Sequence, residues 1–139
     1  MISGSDDDTL RIWNMSTYQC DKMIEGVPCN FTNSLYQIDK DRVIVGGVYS
    51  FYIVNIDKCV IEKRIDESLG YVRCFLKLRD NKTILCGCED GIFCFYDIKK
   101  DECKITKNNH NKDITDLLLI DDNTFLSCSW DRVIKVWKY

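Results

Sequence analysis

Apolar and polar residues alternate in short segments that return at a regular interval along the chain. In the segment LRIW, Leu10 and Ile12 are apolar and Arg11 between them is charged. The same alternation recurs as FCFY at 93–96 and as IKVW at 134–137. Alternation with a period of two is typical of a β-strand with one buried face. The pattern predicts strands rather than helices, because no segment keeps helical apolar spacing over three turns.

The interval between these segments predicts a repeat of four strands. The segment ends Trp13, Val54, Tyr96 and Trp137 lie 41, 42 and 41 residues apart. Three of the repeats also hold a small-residue apolar run (VIVGG, TILCG or TFLSC), and a more polar stretch such as CDKMIEG follows the first three repeat ends. We expect an all-β protein of blade-like, four-stranded antiparallel sheets. The expected repeats are 1–26, 27–67, 68–109 and 110–139, with two complete blades and a partial blade at each end.

The residues at the repeat ends resemble those of a known protein family. The segment SGSDDDTLRIW, with Ser3, Ser5, Asp7 and Trp13, resembles the signature of the WD-repeat (WD40) family. The last repeat resembles a whole WD repeat, from His110 to the terminal tryptophan. The resemblance implies a β-propeller, of which this chain would form about 3 to 3.5 blades of an incomplete ring. It is interpreted as the C-terminal part of a longer propeller.

The resemblance also implies a structural role for a set of polar residues. In the family, a histidine, a strand serine, a turn aspartate and the tryptophan indole form a hydrogen-bonded brace. An aspartate lies six residues before the aromatic end in three of the repeats, where it suits a tight turn. The expected brace residues are Ser3, Ser5, Asp7, Trp13, Asp90, His110, Ser127 or Ser129, Asp131 and Trp137.

The same residue types raise the alternative of a catalytic triad. A serine, His110 and Asp131 match the triad by type. Against catalysis, the offsets recur in repeats that lack the histidine, and no G-x-S-x-G segment is present. We therefore expect no enzymatic activity and no catalytic residue.

Composition narrows the class of protein further. The formal net charge is −3 and basic residues are scattered, which disfavours direct nucleic-acid binding. No apolar run approaches a membrane span, and the N-terminus lacks the features of a signal peptide. The nine cysteines are therefore expected to be reduced thiols in a cytoplasmic or nuclear protein. Cys86 and Cys88 have no second pair at zinc-site spacing, so neither a metal nor another cofactor is expected.

Residues whose types are not needed to form the strands or turns are candidates for binding a partner. The position before the turn aspartate holds Asp6, Glu89 and Trp130 in three repeats. Tryptophan in a tight turn is typical of a binding surface, although it could instead pack on a neighbouring blade. The acidic neighbours favour a basic peptide whose cation contacts the tryptophan. Asp116 is a further candidate, near the mouth of the expected channel.

The predicted function is a non-enzymatic scaffold for protein–protein interactions. One alternative is a substrate-recognition subunit, for example of a ubiquitin ligase, that reads a peptide. Another is a component of an RNA-processing or ribosome-associated particle. The expected partners are proteins or peptides, not membranes. Further blades of a longer chain, or other copies of this one, would be needed to close the ring.

Overall fold

Antiparallel strands make up nearly all of the regular structure in a computed structural model that describes residues 1–29 and 34–139. The chain divides into two compact units, Met1–Ser68 and Leu69–Tyr139. Within the described ranges the helical structure is one 3-10 turn, Glu89–Gly91. No described helix has the length and apolar character that crossing a membrane requires.

The first unit contains a three-stranded sheet and a second sheet that β7 completes. The first sheet has the order β1-β2-β3, and the second begins β4-β5-β6 and continues to β7. These strands are β1 (Ile2–Ser5), β2 (Thr9–Trp13), β3 (Cys20–Glu25), β4 (Leu35–Gln37), β5 (Arg42–Gly46) and β6 (Val48–Asn55), followed by β7 (Val60–Lys77).

The second unit repeats the arrangement. Strands β7-β8-β9-β10 are four consecutive strands of a seven-stranded sheet that also includes β6, β5 and β4, and a separate sheet has the order β11-β12-β13. The strands are β8 (Thr83–Cys88), β9 (Phe93–Asp97), β10 (Glu102–Thr106), β11 (Ile114–Asp121), β12 (Thr124–Ser129) and β13 (Ile134–Lys138). The prediction of an all-β chain of antiparallel sheets is confirmed.

Strand β7 differs from the sequence expectation. The sequence predicted two separate strands on either side of position 68, but the structure has one strand from Val60 to Lys77. Its start lies beside β6, and Val72–Lys77 pair with β8. The segment between has no proline to interrupt it, and Gly70 takes a positive φ of 65° within the strand. A glycine accommodates this angle because it has no Cβ.

Each unit has its own hydrophobic core between its two sheets. In the first unit, Leu10 and Ile24 pack with Val43, Val45 and other buried residues. In the second unit, Phe93 on β9 packs edge-to-face against Phe125 and Trp137, with ring centroids 5.6 and 5.3 Å away. Edge-to-face pairs are a favourable arrangement of aromatic rings. The alternation read from the sequence therefore places Leu10 and Phe93 in a core, whereas Ile134 and Val136 of the last strand, expected on a buried face, are 66% and 63% exposed because no described segment covers them.

The turns that carry the predicted aspartates share a backbone conformation. The residue after each aspartate has a positive φ: 61° at Asp8, 69° at Gly91 and 69° at Arg132. Aspartate tolerates this conformation better than most residues, and glycine adopts it freely. These tight turns place the residues that precede them at the ends of the sheets.

Candidate protein-binding site

A chain of hydrogen bonds joins four polar residues of the last repeat. The His110 Nδ1 atom lies 2.9 Å from Asp131 Oδ2, and its Nε2 atom lies 2.6 Å from Ser127 Oγ. The Trp137 indole Nε1–H donates to the same Ser127 oxygen over 2.7 Å. The structure thus brings together His110, Ser127, Asp131 and Trp137.

All the hydrogen bonds of this set can form together when the His110 imidazole is neutral and carries its proton on Nδ1. The indole then donates to Ser127, the Ser127 hydroxyl donates to His110 Nε2, and His110 Nδ1 donates to Asp131. Every donor in the chain has an acceptor, as buried polar groups require. Because His110 is 2% exposed and Ser127 is fully buried, this serine is not accessible to a substrate.

The two serines of the signature have separate contacts. The Ser129 hydroxyl donates to Lys112 O and accepts the backbone N–H of Asp131, both over 3.1 Å. In the first repeat, Ser5 Oγ accepts the backbone N–H of Asp7 over 3.4 Å. Ser129 and Ser5 therefore hold the turn, while Ser127 contacts the indole.

The first repeat contains a smaller version of the same set. Trp13 Nε1 donates to Ser3 Oγ over 2.8 Å. Asp7 Oδ1 accepts both the backbone N–H and the hydroxyl of Thr9, over 3.1 and 2.6 Å. In the third repeat, Asp90 lies in the 3-10 turn with a φ of 53°. The brace residues predicted from the sequence thus lie at turns and strand ends of their own repeats.

Asp131 is expected to make stability depend on pH. Partial burial raises the pKa of its carboxyl, but hydrogen bonds from Asn111 N–H, His110 and Val133 N–H outweigh this effect and hold the pKa well below the ordinary 3.8. The folded state then binds fewer protons than the unfolded state, so this stabilisation is complete above the ordinary value and is lost as pH falls below it. Chemical denaturation at a series of pH values should show stability falling from about pH 4 downward. The fall should be smaller in Asp131→Asn; an unchanged slope would contradict this role.

Trp130 lies in the turn after β12 and remains largely exposed. Its exposed fraction is 58%, and the Arg73 guanidinium lies over its ring, 5.0 Å from the centroid. The same guanidinium lies 4.8 Å from the centroid of Tyr71. Trp130 therefore packs on a residue of the neighbouring sheet through one part of its surface, and the rest faces solvent.

An ion pair holds Arg73 in this position. Its Nε and Nη2 atoms donate to Asp113 Oδ2 over 3.1 and 2.9 Å. The two side chains are only 22% and 11% exposed, so water screens the pair weakly. Asp113 Oδ1 also accepts the backbone N–H of Asp90, and Asp113 O accepts the N–H of Trp130. These contacts fix the position of Trp130 relative to its neighbours.

Of the three acidic candidates, Glu89 lies beside this cluster. Its Oε2 atom accepts the backbone N–H of Tyr71 over 3.3 Å. Asp116 is exposed on β11, and its Oδ1 atom accepts the backbone N–H of Leu117. Asp6 is exposed in the β1–β2 turn and belongs to the first unit. The structure thus brings Glu89 to the cluster around Trp130, whereas Asp6 is described only within its own unit.

Sequence reasoning identified Trp130 but missed its supporting residues. Arg73 stands out in sequence only as a lone basic residue at a strand start, and Tyr71 and Asp113 occupy no signature position. The separation of Arg73 and Asp113 by about one repeat is the signal that could have paired them.

The described part of the chain contains no cluster of three or more His, Cys, Asp or Glu residues arranged to hold a metal ion. No disulfide joins the cysteines, all of which lie in the described ranges. Burial raises the pKa of Cys74 to about 12, which keeps this thiol protonated. Burial raises the pKa of Cys86 and Cys88 as well.

Comparison with known proteins agrees with this architecture. The family model described as "WD domain, G-beta repeat" matches residues 1–14 and 101–138. The "WD repeat-containing protein 55 homolog" of Dictyostelium discoideum is 26% identical over 141 residues, which cover 97% of this chain and 33% of the relative. The chain thus spans about a third of the length of that curated relative.

Among solved structures, the crystal structure of the computationally designed Ika4 protein has the same fold, with a TM-score of 0.78. The two are 19% identical, and the alignment covers 99% of this chain and 83% of the designed one. The matched repeats lie at the two ends of the chain, where the structure shows the serine–tryptophan pairs. By these matches and its blade-like sheets, the chain is similar to proteins of the WD-repeat family.

Proposed function

We propose that this chain is a non-enzymatic scaffold that binds a partner protein through the surface around Trp130. The exposed indole carries this proposal, because its position is fixed while more than half of its surface faces solvent. Large aromatic residues held in this way are typical of the residues that contribute most to protein–protein affinity. WD-repeat proteins in general are scaffolds for protein interactions, which is consistent with this role.

The charges around Trp130 favour a basic segment of the partner. Asp113 neutralises the Arg73 guanidinium, while Glu89 and Asp90 add negative charge beside it. A lysine or arginine of the partner can then contact the open face of the indole and gain about 0.5–2 kcal/mol. We propose a cytoplasmic or nuclear setting, because the nine cysteines are compatible with a reducing compartment.

Replacing Trp130 by alanine is expected to weaken the binding of basic peptides by roughly 30-fold, because it removes about 2 kcal/mol of contact. A library of Lys- and Arg-containing peptides, each paired with a Glu-substituted version, would be titrated against the 139-residue chain. Tyr18→Ala is the matched control, since Tyr18 is an exposed aromatic residue (79%) of the first unit.

The Tyr18→Ala variant should bind like the unchanged chain. Equal binding by the Trp130→Ala variant, or no preference for basic over Glu-substituted peptides, would contradict the proposal.

A further inference from the structure

The turn aspartates of the first and last repeats hold the turns in which they lie. Asp7 Oδ1 accepts the backbone N–H of Thr9 over 3.1 Å, and Asp131 Oδ1 accepts that of Val133 over 3.0 Å. In both cases the donor lies two residues further along the chain. An aspartate that accepts such a bond from a nearby backbone amide stabilises a tight turn. Both carboxylates are therefore used by the fold.

Asp90, the turn aspartate of the third repeat, does not make this contact. The N–H two residues further along, that of Ile92, donates instead to Glu89 O over 3.2 Å. Asp90 and Gly91 both have positive φ angles, 53° and 69°, which is the pattern of a type I′ turn. In the ranges 1–29 and 34–139 the exposed Asp90 carboxylate accepts no hydrogen bond and forms no ion pair. This turn is therefore closed by its backbone alone.

The turn that contains Asp90 lies next to the turn that contains Trp130. Asp113 joins the two turns, because its Oδ1 atom accepts the N–H of Asp90 over 3.3 Å and its backbone O accepts the N–H of Trp130 over 3.1 Å. All three residues belong to the second unit, and Asp113 is buried. One buried residue thus holds an exposed carboxylate and an exposed indole as neighbours.

The contacts of Arg73 show which side chain suits an indole with a carboxylate beside it. Its guanidinium lies over the Trp130 ring, 5.0 Å from the centroid, while its Nε and Nη2 atoms donate to Asp113 Oδ2 over 3.1 and 2.9 Å. A planar guanidinium can stack on an aromatic ring and donate to a carboxylate at the same time. A lysine ammonium is a compact, strongly hydrated charge and cannot stack in this way.

The other charges of the cluster are already used within the fold. Asp113 pairs with Arg73, so the two charges balance each other. Glu89 adds negative charge, but its Oε2 atom accepts the backbone N–H of Tyr71. The Asp90 carboxylate is therefore the acceptor that remains for a cation from outside the chain.

We propose that this surface recognises an arginine side chain of the partner protein, which stacks on the exposed part of the Trp130 indole and donates to the Asp90 carboxylate. This inference rests on the proposed binding role of Trp130 and narrows the basic segment of the partner to one that contains arginine. It also gives Asp90 a role in binding, in place of the brace role that its position in the repeat predicts.

The first test compares three versions of the same peptide. Each arginine-containing library peptide that binds the 139-residue chain would be remade with lysine, and again with citrulline, in place of arginine. Citrulline keeps nearly the shape of arginine but carries no charge. The arginine version should bind at least about fivefold more tightly than the lysine version and about tenfold more tightly than the citrulline version. Equal binding of the arginine and lysine versions would overturn the proposal.

The Asp90→Asn variant removes the charge and keeps the size of the side chain. Asparagine tolerates a positive φ, so the turn should form as before. Binding of the arginine peptide should weaken about fivefold, whereas binding of the lysine version should change by less than about twofold. The preference for arginine should therefore largely disappear. A preference that stays the same in Asp90→Asn would overturn the proposal.

Two further variants separate a binding role of Asp90 from a general effect of charge and from a structural role. Asp122→Asn removes the same charge from an exposed side chain (84%) in the turn before β12, whereas Trp130 follows β12, so it should leave the arginine preference unchanged. Asp131→Asn should lower the denaturation midpoint, and Asp90→Asn should not. An equal loss of preference in Asp122→Asn, or an equal loss of stability in Asp90→Asn and Asp131→Asn, would overturn the proposal.

The arginine assignment and the binding function on which it rests fail in different ways. If Trp130→Ala weakens the binding of basic peptides but Asp90→Asn leaves the preference for arginine unchanged, only the arginine assignment is wrong. If Trp130→Ala has no effect on any basic peptide, or if no arginine-containing peptide of the library binds, both proposals are wrong.

Discussion

Replacing Gly91 by alanine is expected to lower the free energy of unfolding by about 3 kcal/mol or more. Gly91 has a φ of 69°, and a Cβ at this position would overlap the backbone of His110, chiefly its carbonyl oxygen. The His110 backbone cannot move aside easily, because its side chain is fixed by hydrogen bonds to Ser127 and Asp131. Denaturant titration of the purified variant measures the loss.

Gly26 provides the matched control for this substitution. It has a similar φ of 71°, but a Cβ there would meet nothing within 4 Å. Gly26→Ala should therefore cost only the penalty of the left-handed backbone conformation, about 1–2 kcal/mol. If both variants lost the same stability, the close approach of the His110 backbone would not be the reason that Gly91 is required.

Replacing Ser127 by alanine is expected to destabilise the protein by about 2–4 kcal/mol. The change removes the shared partner of the Trp137 indole N–H and of His110 Nε2, at a position that is fully buried. Water cannot easily replace the lost hydroxyl there, so two polar groups would remain unsatisfied. Thermal and denaturant unfolding measure the loss, and near-ultraviolet circular dichroism should show a changed signal from Trp137.

Ser3→Ala is the control for Ser127→Ala. Ser3 accepts the Trp13 indole N–H in the same way but is only partly buried and has no histidine partner. Water can reach this indole, so the expected cost is about 0.5–1 kcal/mol. Equal losses in the two variants would mean that burial and the His110 contact do not strengthen the brace in the last repeat.

The repeat and its strands could be read from the sequence because they depend on local order. Leu10 and Ile12 alternate with Arg11 whatever surrounds them, and a strand with one buried face follows from that alternation. The turn aspartates could also be predicted, since Asp7 accepts hydrogen bonds from Thr9, two residues away. Such features need no knowledge of distant parts of the chain.

The continuous course of β7 and the division of roles between Ser127 and Ser129 were not predictable in this way. Local sequence propensity does not decide whether two strands that follow each other in sequence join into one. That depends on the strands that lie beside them in the sheet. Ser127 and Ser129 point to the same face of β12, so alternation cannot distinguish them. Only the position of His110, from a different loop, selects Ser127.

The surface around Trp130 shows the same contrast. The sequence alone placed a tryptophan in a tight turn, and alternation placed Ile134 and Val136 on one face of a strand. The partners of Trp130 depend on contacts among β7, the segment before β11 and the turn after β12. The order of the strands in each sheet depends on which strands pair. These properties depend on how segments that are distant in sequence pack together. The strength of an ion pair and the pairing of a strand are both determined by neighbours in space.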